Sequence, residues 1–206
     1  APDLLLELPA LQSMWVGESR FVAIREVLSD ESATDALVHD ALVSDALVTG
    51  EVARRTHIRI TRTGTPEPAD RTHTWWEAAE SGTRWAVEIG ENGPLIAGRD
   101  VLRAPTPTDI ELTLPARCIT DLPLTADRRR LHPSADIDQV AHGYSDLVGM
   151  LEARWRPLLV PGDGLTVGPE DARLTQAVLD ALRDRAWVPA ADGGDLNPDR
   201  AVLIAD

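Results

Sequence analysis

Apolar and polar positions in the first 115 residues repeat with a period of two more often than 3.6, which predicts strands. Residues 13–28 read as extended chain with a turn at Val16-Gly17-Glu18-Ser19. Phe21, Val22, Ala23 and Ile24 then predict a buried strand pair, or one strand entering a bend. In residues 55–63 the alternation is cleaner. Ile58 and Ile60 point one way, and His57, Arg59 and Thr61 the other, as in a half-exposed strand. The run 72–90 predicts a hairpin turning at Glu80-Ser81-Gly82-Thr83. A further turn is expected at Glu91-Asn92-Gly93-Pro94, because Asn-Gly accepts positive φ, with a short strand at Leu95 and Ile96. Residues 104–108 hold two prolines and are kept out of any central ladder. Ile110, Leu112 and Leu114 predict a strand that stops at Pro115, followed by an irregular stretch.

Helical spacing takes over later. Ile137, Val140, Ala141, Tyr144, Leu147, Val148 and Leu151 recur three and four apart. They predict one amphipathic helix capped by Ser134, running toward Trp155 and ending before Pro157. Leu174, Ala177, Val178, Ala181 and Leu182 predict a second helix over 171–184. A hairpin is expected from Trp187 to Ile204 about the turn at Gly193-Gly194. Residues 33–49 contain Asp-Ala-Leu-Val three times, starting at Asp35, Asp40 and Asp45. A period of five drifts roughly 140° per repeat on a helix and makes no clean stripe, yet Ala and Leu favour a helix ending near Gly50. The expectation is an α+β or mixed α/β chain. Residues 1–132 form a sheet-and-helix region, and 133–206 a helical subdomain with a short C-terminal hairpin.

Charge changes the functional picture. Thirty-four acids face twenty bases, all of them arginine, for a net charge of -14. Such a chain repels phosphate backbones and anionic lipid, so nucleic-acid and membrane partners are not expected. No apolar run is long enough to span a bilayer, and the start lacks a signal peptide's basic region. One cysteine, Cys118, allows no internal disulfide, and a reducing, cytoplasmic compartment is expected. Both ends read as cuts inside a longer protein.

Most candidate chemistry is thin. His39, His57, His73, His132 and His142 have no metal-ligand spacing. His57 and His73 are expected to face each other across two strands near Glu77, without a third ligand, so no metal is expected. Cys118 beside Ile119 reads as a small buried hydrophobe. No nucleophile elbow, phosphate-binding loop or dinucleotide fingerprint is present. Trp75 and Trp76 are candidates for core packing and for contact with a protein partner.

The segment Asp121-Leu122-Pro123-Leu124-Thr125-Ala126-Asp127-Arg128-Arg129-Arg130 is more informative. Three guanidiniums in series repel one another and are expected either to be neutralised by acids or to meet an anion, whose oxygens arginine grips bidentately. Asp121, Leu122, Pro123, Leu124 and Arg128 match, one for one, a loop in the middle domain of Hsp90-type chaperones, where an Asp-Leu-Pro-Leu-Asn-x-Ser-Arg stretch follows a strand. Thr125, Asp127 and Arg129 depart from that pattern. With Tyr144-Ser145-Asp146-Leu147 and Trp187-Val188-Pro189-Ala190, the chain resembles bacterial sacsin-like relatives of that family. The resemblance implies a ribosomal-protein-S5-domain-2-like middle domain of a GHKL ATPase. In it Arg128 reaches the γ-phosphate of ATP held by an upstream domain, and Arg129, Arg130 and Asp121 support the loop or bind phosphate. It also implies ATP and Mg for the parent protein, no cofactor in this chain, an upstream ATP-binding domain as partner, and a client protein. The alternative is a non-catalytic interaction or structural module of a larger cytoplasmic protein.

Overall fold

The computed structural model describes residues 2–28, 54–63, 72–96, 98–162, 164–191 and 193–202. The expected helix over 33–49, His39, the break at 64–70 and the end of the C-terminal hairpin at 203–204 lie outside those residues.

The chain is α+β, with one large mixed sheet and few helices. Helix α1 (Pro2–Glu7) precedes β1 (Ser13–Val16), β2 (Ser19–Val27), β3 (Arg54–Thr63), β4 (Thr72–Glu80), β5 (Thr83–Gly90) and β6 (Gly93–Leu95). Then follow β7 (Asp100–Arg103), β8 (Pro107–Leu112) and β9 (Arg117–Thr120). The sheet order is β1-β2-β3-β4-β5-β9-β7-β8, with β6 also on β5. Pairing is antiparallel except between β7 and β9.

Strand β9 occupies the segment expected to be irregular, and β7 was likewise not expected. Cys118, Ile119 and Thr120 are all buried, so β9 has no polar face and no alternation to betray it. Its one hydroxyl is matched inside the sheet, where Thr120 Oγ1 lies 3.3 Å from Thr83 Oγ1. The β4–β5 and β5–β6 turns fall where expected. Gly82 has φ +77°, and Gly93 has φ +113° with the Trp155 ring where a Cβ would stand.

Helices α2 (Tyr144–Met150) and α3 (Pro169–Asp184) lie on one face of the sheet, α1 on the other. The expected single helix from Ser134 is broken. A 3₁₀ turn over Ile137–Ala141 is capped by Asp136, whose carboxylate accepts from the Asp138 amide. Gly143, at φ +80°, then redirects the chain into α2. Leu151 ends α2 in an extended conformation, and a second 3₁₀ segment, Ala153–Leu159, runs through Pro157, which a short non-α turn tolerates. Short strands β10 (Val188–Pro189) and β11 (Asp195–Leu196) pair as a small hairpin.

One buried cluster draws on both sides of residue 132. Trp85 is fully buried and donates from Nε1 to the Val140 carbonyl at 2.8 Å. Its ring meets Tyr144 edge-on at 4.8 Å, and the Tyr144 hydroxyl donates to the Leu159 carbonyl at 2.6 Å. Asp171 is fully buried at the start of α3 and accepts from the Thr113 amide and hydroxyl and from the Val167 amide. It thus joins the end of β8 to α3. Among the described residues, no helix is long and apolar enough to cross a membrane.

Candidate functional site

The arginine loop leaves the interior of the sheet at the end of β9. Its first residue is fixed hard. The Asp121 amide donates to the Gly82 carbonyl at 3.1 Å, and the Asp121 carboxylate lies where a Cβ on Gly82 would be, so the β4–β5 turn admits no side chain there. Leu122 packs on the main core. An isolated antiparallel bridge between Leu124 and Leu131 then closes the loop's neck, supported by the His132 amide on the Pro123 carbonyl at 2.8 Å.

The tip is a tight turn. The Arg128 amide donates to the Thr125 carbonyl at 2.8 Å, and the Thr125 amide to the Arg130 carbonyl at 2.9 Å. Asp127 binds the same turn from its side chain, accepting from the Thr125 hydroxyl at 2.6 Å and the Arg129 amide at 3.1 Å. These two bonds, the hydroxyl's first, hold the Asp127 carboxyl below the usual aspartate range. Arg128 takes the left-handed conformation at φ +58°, which costs a non-glycine residue about 1–2 kcal/mol. The bonds on both sides of it offset that cost.

The three arginines play different parts. Arg129 faces Asp109 of β8 at 3.5 Å, and its carbonyl accepts from the Asp109 amide, so it ties the loop to the edge of the sheet. The Arg130 carbonyl closes the turn on Thr125. Neither the Arg128 nor the Arg130 guanidinium forms an ion pair with a described residue, and both are exposed. Arg128 stands at a cavity of about 470 Å³ lined by Ala104, Pro105, Leu122, Leu124 and Thr125, with Asp121 at its side. Chemically, this arrangement presents an exposed, unpaired cation to an arriving anion. The lining holds no histidine or cysteine to serve as base or nucleophile.

Other sequence candidates lie elsewhere. His57 pairs with Trp76 and His73 with Ile60, so the two histidines project from opposite faces of the sheet. That corrects the expectation that they face each other. His57 stacks obliquely on Trp76 at 5.5 Å, while His73 Nδ1 meets Glu88 at 2.5 Å. Among the described residues no cluster of three or more metal-ligating side chains is placed to hold an ion. Cys118 is buried against the helices, and burial pushes its thiol well up, which removes the thiolate a nucleophile needs. Trp75 is only 7% exposed, with the Arg117 guanidinium 5.0 Å from its ring. Trp76, on the opposite face, is half-buried.

A second charged cluster gave no sequence signal. Arg84 donates to the Leu6 and Glu7 carbonyls at 2.9 and 2.6 Å and to Glu77 at 2.9 Å. Arg25 donates to the Leu5 carbonyl. Arg103 bridges Glu7 and Asp100, each at 2.6 Å, and Arg117 bridges Asp100 and Asp3. The partners on α1 lie 77 to 114 residues from Arg84, Arg103 and Arg117, so no local pattern marks the cluster. Burial pushes the Glu77 carboxyl up, against the opposing pull of Arg84 and Arg25. Burial also pushes Asp100 up, but hydrogen bonds from Arg103 and the Val101 amide, with the charges of Arg103 and Arg117, outweigh it and hold that carboxyl down.

No family model matches the chain, and neither a curated protein nor a solved structure matches it.

Proposed function

We propose that this chain is the non-nucleotide-holding segment of an ATPase resembling Hsp90 and sacsin, in which Arg128 meets the phosphate of a nucleotide bound by another domain. One observation carries the reading: the Arg128 guanidinium is exposed and without an ion pair among the described residues, on a loop tip held by six hydrogen bonds and bridge contacts of its own. The backbone beneath the guanidinium is fixed, so only the side chain itself has to order when it meets developing phosphoryl charge, as an arginine finger does. Arg129, by contrast, is spent on Asp109. The finer assignment to a ribosomal-protein-S5-domain-2-like middle domain, and the roles of ATP and Mg in a parent protein, belong to the same proposal.

The test joins this chain to its nucleotide-holding domain and compares it with the Arg128→Ala variant. ATP turnover falls about 10³-fold with nucleotide affinity little changed. Unchanged turnover refutes the role.

A second reading, a non-catalytic interaction module, is favoured by the face of β1 and β2 that the helices leave uncovered, where Trp15 is 66% and Ile24 50% exposed.

A further inference from the structure

Beside α1, on the same face of the sheet, lies a second cavity of about 250 Å³, separate from the one at Arg128. One cross-strand row builds its floor. Trp75 of β4 pairs with Glu88 of β5, and Glu88 with Leu95 of β6, so all three side chains project from one face. Ala86 and Arg117 pair in the next row, and Ile96 and Pro115 complete the wall. Leu95 and Ile96 are exposed although apolar, and they stand at the cavity's mouth. The Trp75 Nε1 is sealed from solvent and meets no partner among the described residues, so this wall offers a ligand the apolar ring and not its N–H.

Three charged groups line the cavity, and two of them are already matched. Arg117 is bonded to Asp100 at 3.0 Å and to Asp3 at 2.5 Å, and its guanidinium lies 5.0 Å from the centre of the Trp75 ring. Asp100 also accepts from Arg103 at 2.6 Å. Glu88 has no arginine partner among the described residues. His73 takes only its Oε1, and Oε2 has no hydrogen bond among those residues. Arg103 is met in turn by Glu7. Besides the His73 imidazole, the cavity and the groups bonded to it therefore hold four carboxylates, Glu88, Asp100, Asp3 and Glu7, against two guanidiniums. Adding Glu77 with Arg84 and Arg25 beyond them leaves five against four. The chain as a whole carries -14, so the surrounding field also draws in a cation.

We infer that this cavity binds a small organic ammonium ion with an apolar body. The body lies among Trp75, Leu95, Ile96 and Pro115, and the ammonium donates to Glu88 Oε2. A cavity of about 150 Å³ already holds a benzene ring, so this one has room for a ring and a short chain. The site goes beyond the phosphate-sensing reading and does not involve Arg128.

The experiment titrates the full chain with 2-phenylethylammonium, beside 3-phenylpropionate, 2-phenylethanol and methylammonium. The Trp75 indole resonance and the Leu95 methyl signals are followed by NMR. Saturable binding of phenylethylammonium is expected to move both. The alcohol lacks the charge and methylammonium the apolar body, and each binds about tenfold more weakly or worse. The propionate does not bind. Glu88→Gln brings the affinity for phenylethylammonium down to that of the alcohol. Leu95→Ala, at an exposed position, lowers it severalfold and leaves methylammonium unaffected. Should Glu88→Gln not fold, the ligand series and Leu95→Ala decide alone. Arg128→Ala changes none of these affinities, so this inference and the phosphate-sensing role fail separately. No saturable binding of phenylethylammonium, binding of the propionate or the alcohol as tight as that of the ammonium ion, or an affinity that a folded Glu88→Gln or Leu95→Ala chain leaves unchanged overturns the proposal.

Discussion

The Arg84 guanidinium donates to the Glu7 carbonyl at 2.6 Å, closing the C-terminal end of α1 from across the sheet. A helix of six residues does not hold itself in water, and α1 has no basic residue in its last turn. Arginines from strands supply what the helix lacks. Arg84→Met is therefore expected to cost about 2–4 kcal/mol, since it strands Glu77 as well as two carbonyls. Urea denaturation measures the loss. Faster amide exchange at the start of the chain separates undocking of α1 from a general weakening.

Tyr144→Phe removes one buried hydroxyl and leaves the Leu159 carbonyl without its donor. The ring stays against Trp85, so the loss is confined to about 1–2 kcal/mol. A loss near zero in thermal or urea unfolding rules out a structural role for that bond.

Asp127→Ala tests what holds the arginine loop. The Arg129 amide and Thr125 hydroxyl lose their shared acceptor while the sheet is untouched. Amide exchange rises across 125–130 with no movement of the global unfolding midpoint. If Arg128 acts on a phosphate, turnover in the joined protein falls as well, because the turn no longer presents it.

Glu77 and Asp100 give the stability opposite dependences on pH. Glu77 holds its proton more tightly folded than unfolded, so its contribution is complete below the ordinary glutamate value and is lost as pH rises through its folded value. Asp100 holds its proton less tightly when folded. Its contribution is present above the ordinary aspartate value and is lost as pH falls through its folded value. Urea midpoints across the acidic range check both. Glu77→Gln flattens the decline on the rising side, and Asp100→Asn the decline on the falling side. Identical profiles in the variants sink the assignment.

Local alternation carried much of the strand half. Ile58 and Ile60 are fully buried while Arg59 between them is exposed, as the period of two requires, and the Gly82 and Gly93 turns follow from residues that accept positive φ. Alternation failed at β9 because both of its faces are covered. Helical spacing from Ile137 to Leu151 marked the buried side chains correctly. It did not disclose that Gly143 splits them between a 3₁₀ turn and α2, since both arrangements bury the same residues. At the candidate site, the run of arginines is visible in sequence. That Arg129 is neutralised by Asp109 and Arg128 is not depends on where β8 passes, which no local pattern encodes.

The sheet order places β9 between β5 and β7. The hairpin of β7 and β8 therefore has no neighbour in the sheet until β9 slots in beside it. As the chain emerges during synthesis, that gap stays open until about residue 120 is available, and long-range insertion of this kind is slow. The arginine loop follows directly, so its root is anchored on a strand held between two others.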